Sequence, residues 1–191
     1  MTRREDSPTP DFSFEAARKG DVEAFRSFVR THERRVATLV ARILDNPQDI
    51  EEATQDTFVQ AWRHLDQFRG DAAITTWLFR IATNASLMRV RRRRHSQITL
   101  DDARSTAEQD GADVTAEASL RLQQVRLVRA ALASLPRDVR AAVVLRDIEG
   151  LTTTEAAEVL GLAESALKTR LHRGRMRLRV LLRDQLADEQ R

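Results

Sequence analysis

The chain has no cysteine, which removes disulfide bridges, thiolate metal sites and cysteine nucleophiles together. It has no tyrosine either, so a covalent tyrosine mechanism of the recombinase type is excluded. The histidines His32, His64, His95 and His172 are scattered without metal-ligand spacing. No phosphate-cradling glycine loop, paired carboxylate or nucleophile–base signature appears, and the expectation is a protein that is not an enzyme and carries no cofactor or metal. No apolar run approaches the roughly 20 residues that cross a bilayer. Met1 to Asp11 is polar, with Pro8 and Pro10, where a signal peptide needs an apolar core. A soluble, cytoplasmic protein without membrane insertion is expected.

Glycine and proline are also scarce, at 6 and 4 of 191 residues, and Gly20, Pro47, Gly70, Gly111, Pro136, Gly150 and Gly161 sit at joints. Between the joints, apolar residues recur with helical rather than strand period. Phe14 to Leu44 accommodates two helices, with Phe25, Phe28, Val29, Val36, Leu39, Val40 and Ile43 as core candidates. A third helix runs from about Gln48 to Leu65, opened by Asn46-Pro47. A fourth runs from about Ala72 to Arg92, with Ile74, Trp77, Leu78, Ile81, Ala82, Ala85 and Met88 as its buried stripe and Arg89, Arg91, Arg92, Arg93 and Arg94 as its basic end. Beyond Gln97, Asp101, Asp102, Glu108, Asp110, Asp113 and Glu117 face only Arg104, a composition that suits a flexible acidic linker. A second helical module begins near Ala118, with Leu122, Val125, Val128, Leu132 and Leu135 as one stripe and Val139, Val143 and Val144 inside the next helix. The net charge is only +3, but it is segregated along the chain, and segregation decides partners.

The sharpest pattern lies between Thr152 and Arg183. Thr152 to Thr154 can cap a helix with Glu155 and Glu158 in its opening turns, Ala157 is small where a second helix crosses, and Gly161 can turn the chain. The helix that starts near Glu164 buries Leu167 and Leu171 and displays Lys168, Thr169, His172 and Arg173. That division is how a recognition helix enters the major groove. Between Glu164 and Arg183, Lys168, Arg170, Arg173, Arg175, Arg177, Arg179 and Arg183 oppose a single acid, Glu164, which favours DNA binding over a plain helical hairpin.

Two distant segments resemble one family. Ala133-Ser134-Leu135-Pro136-Arg137-Asp138-Val139-Arg140 through Gly150-Leu151, leading into the helix-turn-helix, resembles region 4 of the group IV, or extracytoplasmic-function (ECF), sigma factors of bacterial RNA polymerase. Asp49 through Trp62, Phe68-Arg69-Gly70-Asp71 and Thr76 through Asn84 resemble that family's region 2. The resemblance implies an all-α fold of two small helical domains, residues 12–96 and 119–186, joined by an acidic linker at 97–118. A disordered tail at 1–11 and a short one at 187–191 flank them.

By the same resemblance, Glu52, Gln55, Asp56, Val59 and Trp62 would dock on the clamp helices of the largest polymerase subunit. Phe68, Arg69, Arg80 and Asn84 would recognise and melt the −10 element, with Trp77 and Phe79 as possible stacking platforms, Trp77 more as core. Lys168, Thr169, His172 and Arg173 would read the −35 bases. Ser165, Arg170, Arg175, Arg177, Arg91, Arg92 and Arg93 would meet phosphates, or in part the polymerase flap. The implied partners are core RNA polymerase, promoter DNA and an anti-sigma factor. The competing reading is a free-standing helix-turn-helix regulator, against which the first module counts because it shows no sensor pocket or phospho-acceptor.

Overall fold

A computed structural model describes residues 12–68, 73–96 and 116–188, and the described residues are helical throughout. The order is α1 (Phe12–Arg18), α2 (Val22–Ile43), α3 (Pro47–Arg63), a 3₁₀ turn (Leu65–Gln67), α4 (Ile74–Ser96), α5 (Ala116–Ala133), α6 (Arg137–Val143), a π turn (Val144–Ile148), α7 (Thr153–Leu160) and α8 (Glu164–Asp188). Residues 1–11, 69–72, 97–115 (with the acids Asp101 to Asp113 read as linker) and 189–191 lie outside the described residues, whereas α5 already takes in residues 116–118 of the expected linker and α8 extends to Asp188.

Local chemistry sets the helix starts. The Asp21 carboxylate accepts from the amides of Glu23 and Ala24 at 2.9 and 3.1 Å and opens α2. Asn46 accepts from the Asp49 amide at 3.1 Å, with Pro47 holding the first helical φ of α3. In the first module α2, α3 and α4 pack against one another around Phe28, Val36, Leu39, Val40, Ile43, Leu78 and Phe79, as the α2 periodicity predicts.

The stripe expected on α4 is met in part. Leu78 and Ala82 are buried and Ile74, Trp77, Ile81 and Ala85 pack partly covered against the core, but Met88 is half exposed, and Phe79, Thr83, Ser86 and Val90 are buried beside them. Small hydroxyl residues thus share the buried side of the helix. Ser86 Oγ donates to the Ala82 carbonyl at 2.8 Å, so its polarity is satisfied within the helix. Phe79, offered as a stacking platform, is instead a core residue at 1% exposure, with the Arg35 guanidinium 5.3 Å from its ring.

In the second module α8 packs on α5, α6 and α7 over Leu135, Val139, Val143, Leu167 and Leu171. Val125 and Val128 do not join that core. They remain exposed because α5 contacts α8 and the first module along one side and, among the described residues, has no layer over the other. The two modules are not independent bodies: α4 packs on α7, α2 meets α5, α6 and the π turn, and their buried residues form one continuous cluster.

Candidate nucleic-acid interface

The recognition helix is fixed from behind. Thr152 caps α7, its hydroxyl accepting from the Glu155 amide at 3.2 Å while the Glu155 carboxylate accepts from the Thr152 amide at 2.7 Å. At the other end Gly161 takes φ +63°, and the Leu162 amide reaches back to the Ala157 carbonyl at 2.9 Å. The Thr154 hydroxyl then donates to the Glu164 carboxylate at 2.6 Å, fastening the first turn of α8 to α7. That hydrogen bond, aided by the nearby Lys168 ammonium, holds the Glu164 carboxyl below its ordinary range.

Leu167 and Leu171 point inward at 0% and 4% exposure, leaving Lys168, Thr169, His172 and Arg173 exposed together on the outer side. Gly174 lets α8 lie close against α6: a Cβ there would sit 2.6 Å from Val143 Cγ2 and 2.9 Å from Val139 Cγ1. Ser165 and Arg177 are exposed as well. Not every arginine of α8 is unopposed. Arg175 makes a two-pronged pair with Asp147 of the π turn at 2.9 and 2.6 Å, which raises its pKa, and Arg170 lies 3.8 Å from Asp138 of α6. A count of acids within α8 alone misses both partners, which come from other helices.

In the first module, the face drawn through Glu52, Gln55, Asp56 and Val59 divides into two rows. Arg89 of α4, with its side chain 17% exposed, bridges Glu52 and Asp56, the latter at 2.7 Å, and Arg93 pairs with Asp49 at 3.0 Å. Burial disfavours the charge on Arg89, but the hydrogen bonds and attraction of the two carboxylates outweigh it and raise its pKa. The acids are therefore turned toward α4. Gln55, Val59 and Trp62 form the outer row, with the Trp62 ring 4.7 Å from Phe25.

Between α3 and α4 runs a groove of about 420 Å³ lined by Asp56, Gln60, His64, Ile81, Asn84, Ala85, Met88, Arg89 and Arg92. Asn84 and Arg92 were expected at a nucleic-acid site. Gln60, His64 and Met88 were not, because which face of α3 opposes α4 is settled only by packing. Phe68 sits apart from the groove lining, edge-on to Phe14 at 5.1 Å and 5.4 Å from Trp77. Arg80 and Arg91 are exposed, and Arg69 lies outside the described residues.

Comparison with known proteins joins the two modules. A model described as sigma-70 region 2 matches residues 28–96, and one described as sigma-70 region 4 matches residues 126–178. The ECF RNA polymerase sigma factor SigW of Bacillus subtilis is 30% identical over 174 residues, covering 87% of this chain and 93% of the relative. The chain is an ECF RNA polymerase sigma factor. SigM of Mycobacterium tuberculosis is 37% identical over 164 residues, 85% of this sigma factor and 79% of the relative.

Two solved structures share its arrangement. One is CnrH in complex with the cytosolic domain of CnrY (TM-score 0.63, 29% identity, 91% of this chain and 97% of that one). The other is RpoE from Bartonella quintana in complex with the anti-sigma factor NepR (TM-score 0.66, 27% identity, 85% and 98%). This sigma factor is thus an alternative specificity subunit that directs RNA polymerase to particular promoters. No helix among its described residues is long and apolar enough to cross a membrane.

Proposed function

We propose a division of labour for this sigma factor in which α8 reads the −35 element and the α3–α4 groove captures an unpaired base of the −10 element. The observation that carries the first half is the exposed quartet Lys168, Thr169, His172 and Arg173 on a helix whose back is locked by Leu167, Leu171 and Gly174. Lysine and arginine donate to guanine O6 and N7, and threonine offers a hydroxyl or a methyl. Ser165, Arg170, Arg175 and Arg177 flank the quartet and meet phosphates, with Arg170 and Arg175 exchanging their carboxylates for them.

The groove supports the second half: Ile81, Ala85 and Met88 offer an apolar bed, and Gln60, His64 and Asn84 offer hydrogen bonds that a flipped base requires. Arg91, Arg92 and Arg93 supply phosphate contacts beside it, while Phe68, Arg69 and Arg80 belong to its approach. The Gln55, Val59 and Trp62 row, with Glu52 and Asp56 beside it, docks on core polymerase as a mixed polar and apolar face with an aromatic anchor. The working domains are residues 12–96 and 119–186, joined through 97–118. The protein works in the cytoplasm, does no chemistry of its own, and is restrained by an anti-sigma factor of the kind that occupies RpoE of Bartonella quintana.

Reconstitution with core polymerase and run-off transcription on genomic fragments tests this reading. Wild type should select a small set of promoters, and Asn84→Ala should lose open-complex formation, read by permanganate reactivity, while retaining polymerase binding. Unchanged melting by Asn84→Ala would refute the groove assignment.

A further inference from the structure

Glu164 opens α8 and is the one acid of that helix before Asp184. It precedes Lys168 by four residues and His172 by eight, so the three follow one another a turn apart along one row. Its side chain is 45% exposed, beside Lys168 at 67%. Oε1 of the carboxylate accepts from the Thr154 hydroxyl at 2.6 Å. Oε2 lies 3.6 Å from Lys168 Nζ. The carboxylate is thus tethered to α7 through one oxygen, while the other is held by nothing firmer than a mobile ammonium on the DNA-facing side.

By charge alone an acid is out of place on a helix that lies among phosphates, because it opposes the cations that supply affinity. What it offers in return is discrimination, since an ionised carboxylate accepts hydrogen bonds and donates none. In the major groove guanine presents two acceptors, N7 and O6. Thymine presents O4 and a methyl group, and adenine sets its N6 donor beside the N7 acceptor. Cytosine alone presents a donor, N4, with no acceptor next to it. A carboxylate therefore gains from cytosine and is repelled by guanine and thymine. Thr154 and Lys168 hold the Glu164 carboxyl below its ordinary range, so at neutral pH it remains an acceptor.

Lys168 makes the opposite choice one turn along. Its ammonium donates and cannot accept, which favours guanine O6 and N7. Four helical residues rise about 6 Å and a base step about 3.4 Å, so the two side chains bear on bases one or two steps apart.

We infer that Glu164 is a specificity-determining residue of the −35 reader: its Oε2 accepts from the N4 amino group of a cytosine one or two base pairs from the guanine taken by Lys168, while Thr154 holds the carboxylate in place. The inference rests on the −35 reading of α8 proposed above. On binding, the Lys168 ammonium leaves Oε2 for guanine and the cytosine amino group takes its place, so the carboxylate does not lose a partner.

Selection from a promoter library randomised across the −35 element, with holoenzyme reconstituted from the full chain and core polymerase, reads this base by base. Wild type should enrich a cytosine at a fixed offset from a guanine, and Lys168→Ala should lose the guanine while keeping the cytosine. Glu164→Ala should lose the cytosine preference at that one position, by about tenfold, and leave the rest of the motif. Glu164→Gln should turn the preferred cytosine into adenine, because an amide matches adenine N6 and N7 together. Thr154→Val keeps the carboxylate but removes its tether, and should weaken the cytosine preference without installing another base.

A carboxylate that only fastens α7, or only repels phosphates, changes affinity for all sequences alike. Such a uniform change in Glu164→Ala and Glu164→Gln overturns the inference, and so does an unchanged motif in both. Glu164→Gln is isosteric and still accepts from Thr154, so it decides the matter even if Glu164→Ala loosens the helix. A library with no enriched upstream motif, or a guanine indifferent to Lys168→Ala, refutes the −35 reading of α8 and Glu164 with it. A motif that answers to Lys168 but not to Glu164 refutes the Glu164 assignment alone.

Discussion

Gly174→Ala adds a single methyl group at a close contact between the recognition helix and α6. The added carbon would lie 2.6 Å from Val143 Cγ2 and 2.9 Å from Val139 Cγ1, with Leu135 Cδ1 next at 4.0 Å. Ordinary carbon contacts are about 3.5–4.0 Å, so α8 must retreat by close to 1 Å or the valines must move. They cannot swing aside easily. Both are β-branched and stiff at χ1 within a helix, and both are buried. Overpacking of this kind costs about 1–3 kcal/mol, and two simultaneous clashes place it near the upper end. Replacing a mid-helix glycine by alanine returns about 1 kcal/mol through helix propensity. The net expectation is a loss of about 2 kcal/mol, read as a lower urea midpoint at unchanged slope. A tilted α8 should weaken −35 binding as well.

Val143→Ala in the same chain should recover part of the loss, because it removes the nearer clash, and the double-mutant cycle should show favourable coupling between the two positions. A Gly174→Ala variant as stable as wild type, or more stable, would refute the packing argument. So would strict additivity with Val143→Ala.

Lys168→Ala and Arg173→Ala should each weaken −35 recognition by about 1–3 kcal/mol with altered base preference, whereas Arg91→Ala with Arg92→Ala should weaken binding to all sequences and flatten its salt dependence. Competition binding across a promoter library checks both, and equal, sequence-blind losses from all four would contradict the division. Gln55→Ala with Trp62→Ala should abolish capture by core polymerase at unchanged far-UV circular dichroism, and normal capture would remove that face from consideration. The Thr154–Glu164 strap has a pH sign. A carboxyl held below its ordinary value of 4.5 contributes above the unfolded value and loses that contribution as pH falls through the lowered folded one. Carbon NMR titration should therefore find Glu164 below 4.5 in wild type and moved upward in Thr154→Val; no difference between the two would contradict the strap.

The helix-turn-helix was the most legible part of the chain because its signals are local. The Thr152–Glu155 box, Gly161 and the Leu167/Leu171 spacing are all written within one or two turns and need no knowledge of neighbours. The α4 face is only partly legible because burial follows size as well as apolarity. Thr83 and Ser86 are buried for being small, while Met88 stays exposed on the rim of a groove. Gln60 near the end of α3 and His64 just after it stand one turn apart, yet become part of a site only when α4 lies opposite. Arg140 reads in the sequence as one more solvated charge, and its burial depends on a carboxylate 95 residues earlier. Helix periodicity is short-ranged information, whereas grooves and seams are made by pairs of helices that the chain brings together from afar.

The π turn after α6 has a geometric consequence of its own. Its wide ring, closed by the Glu149 amide on the Val144 carbonyl at 2.9 Å, accommodates one more residue than an α turn would. On one side it presents Asp147 to Arg175 of α8, and a step later Glu149 meets Arg42 of α2. One short segment thus ties the recognition helix to the first module. A deletion within it changes the spacing of both carboxylates from the helix before them and so acts on both pairs at once, whereas a substitution at either acid acts on one.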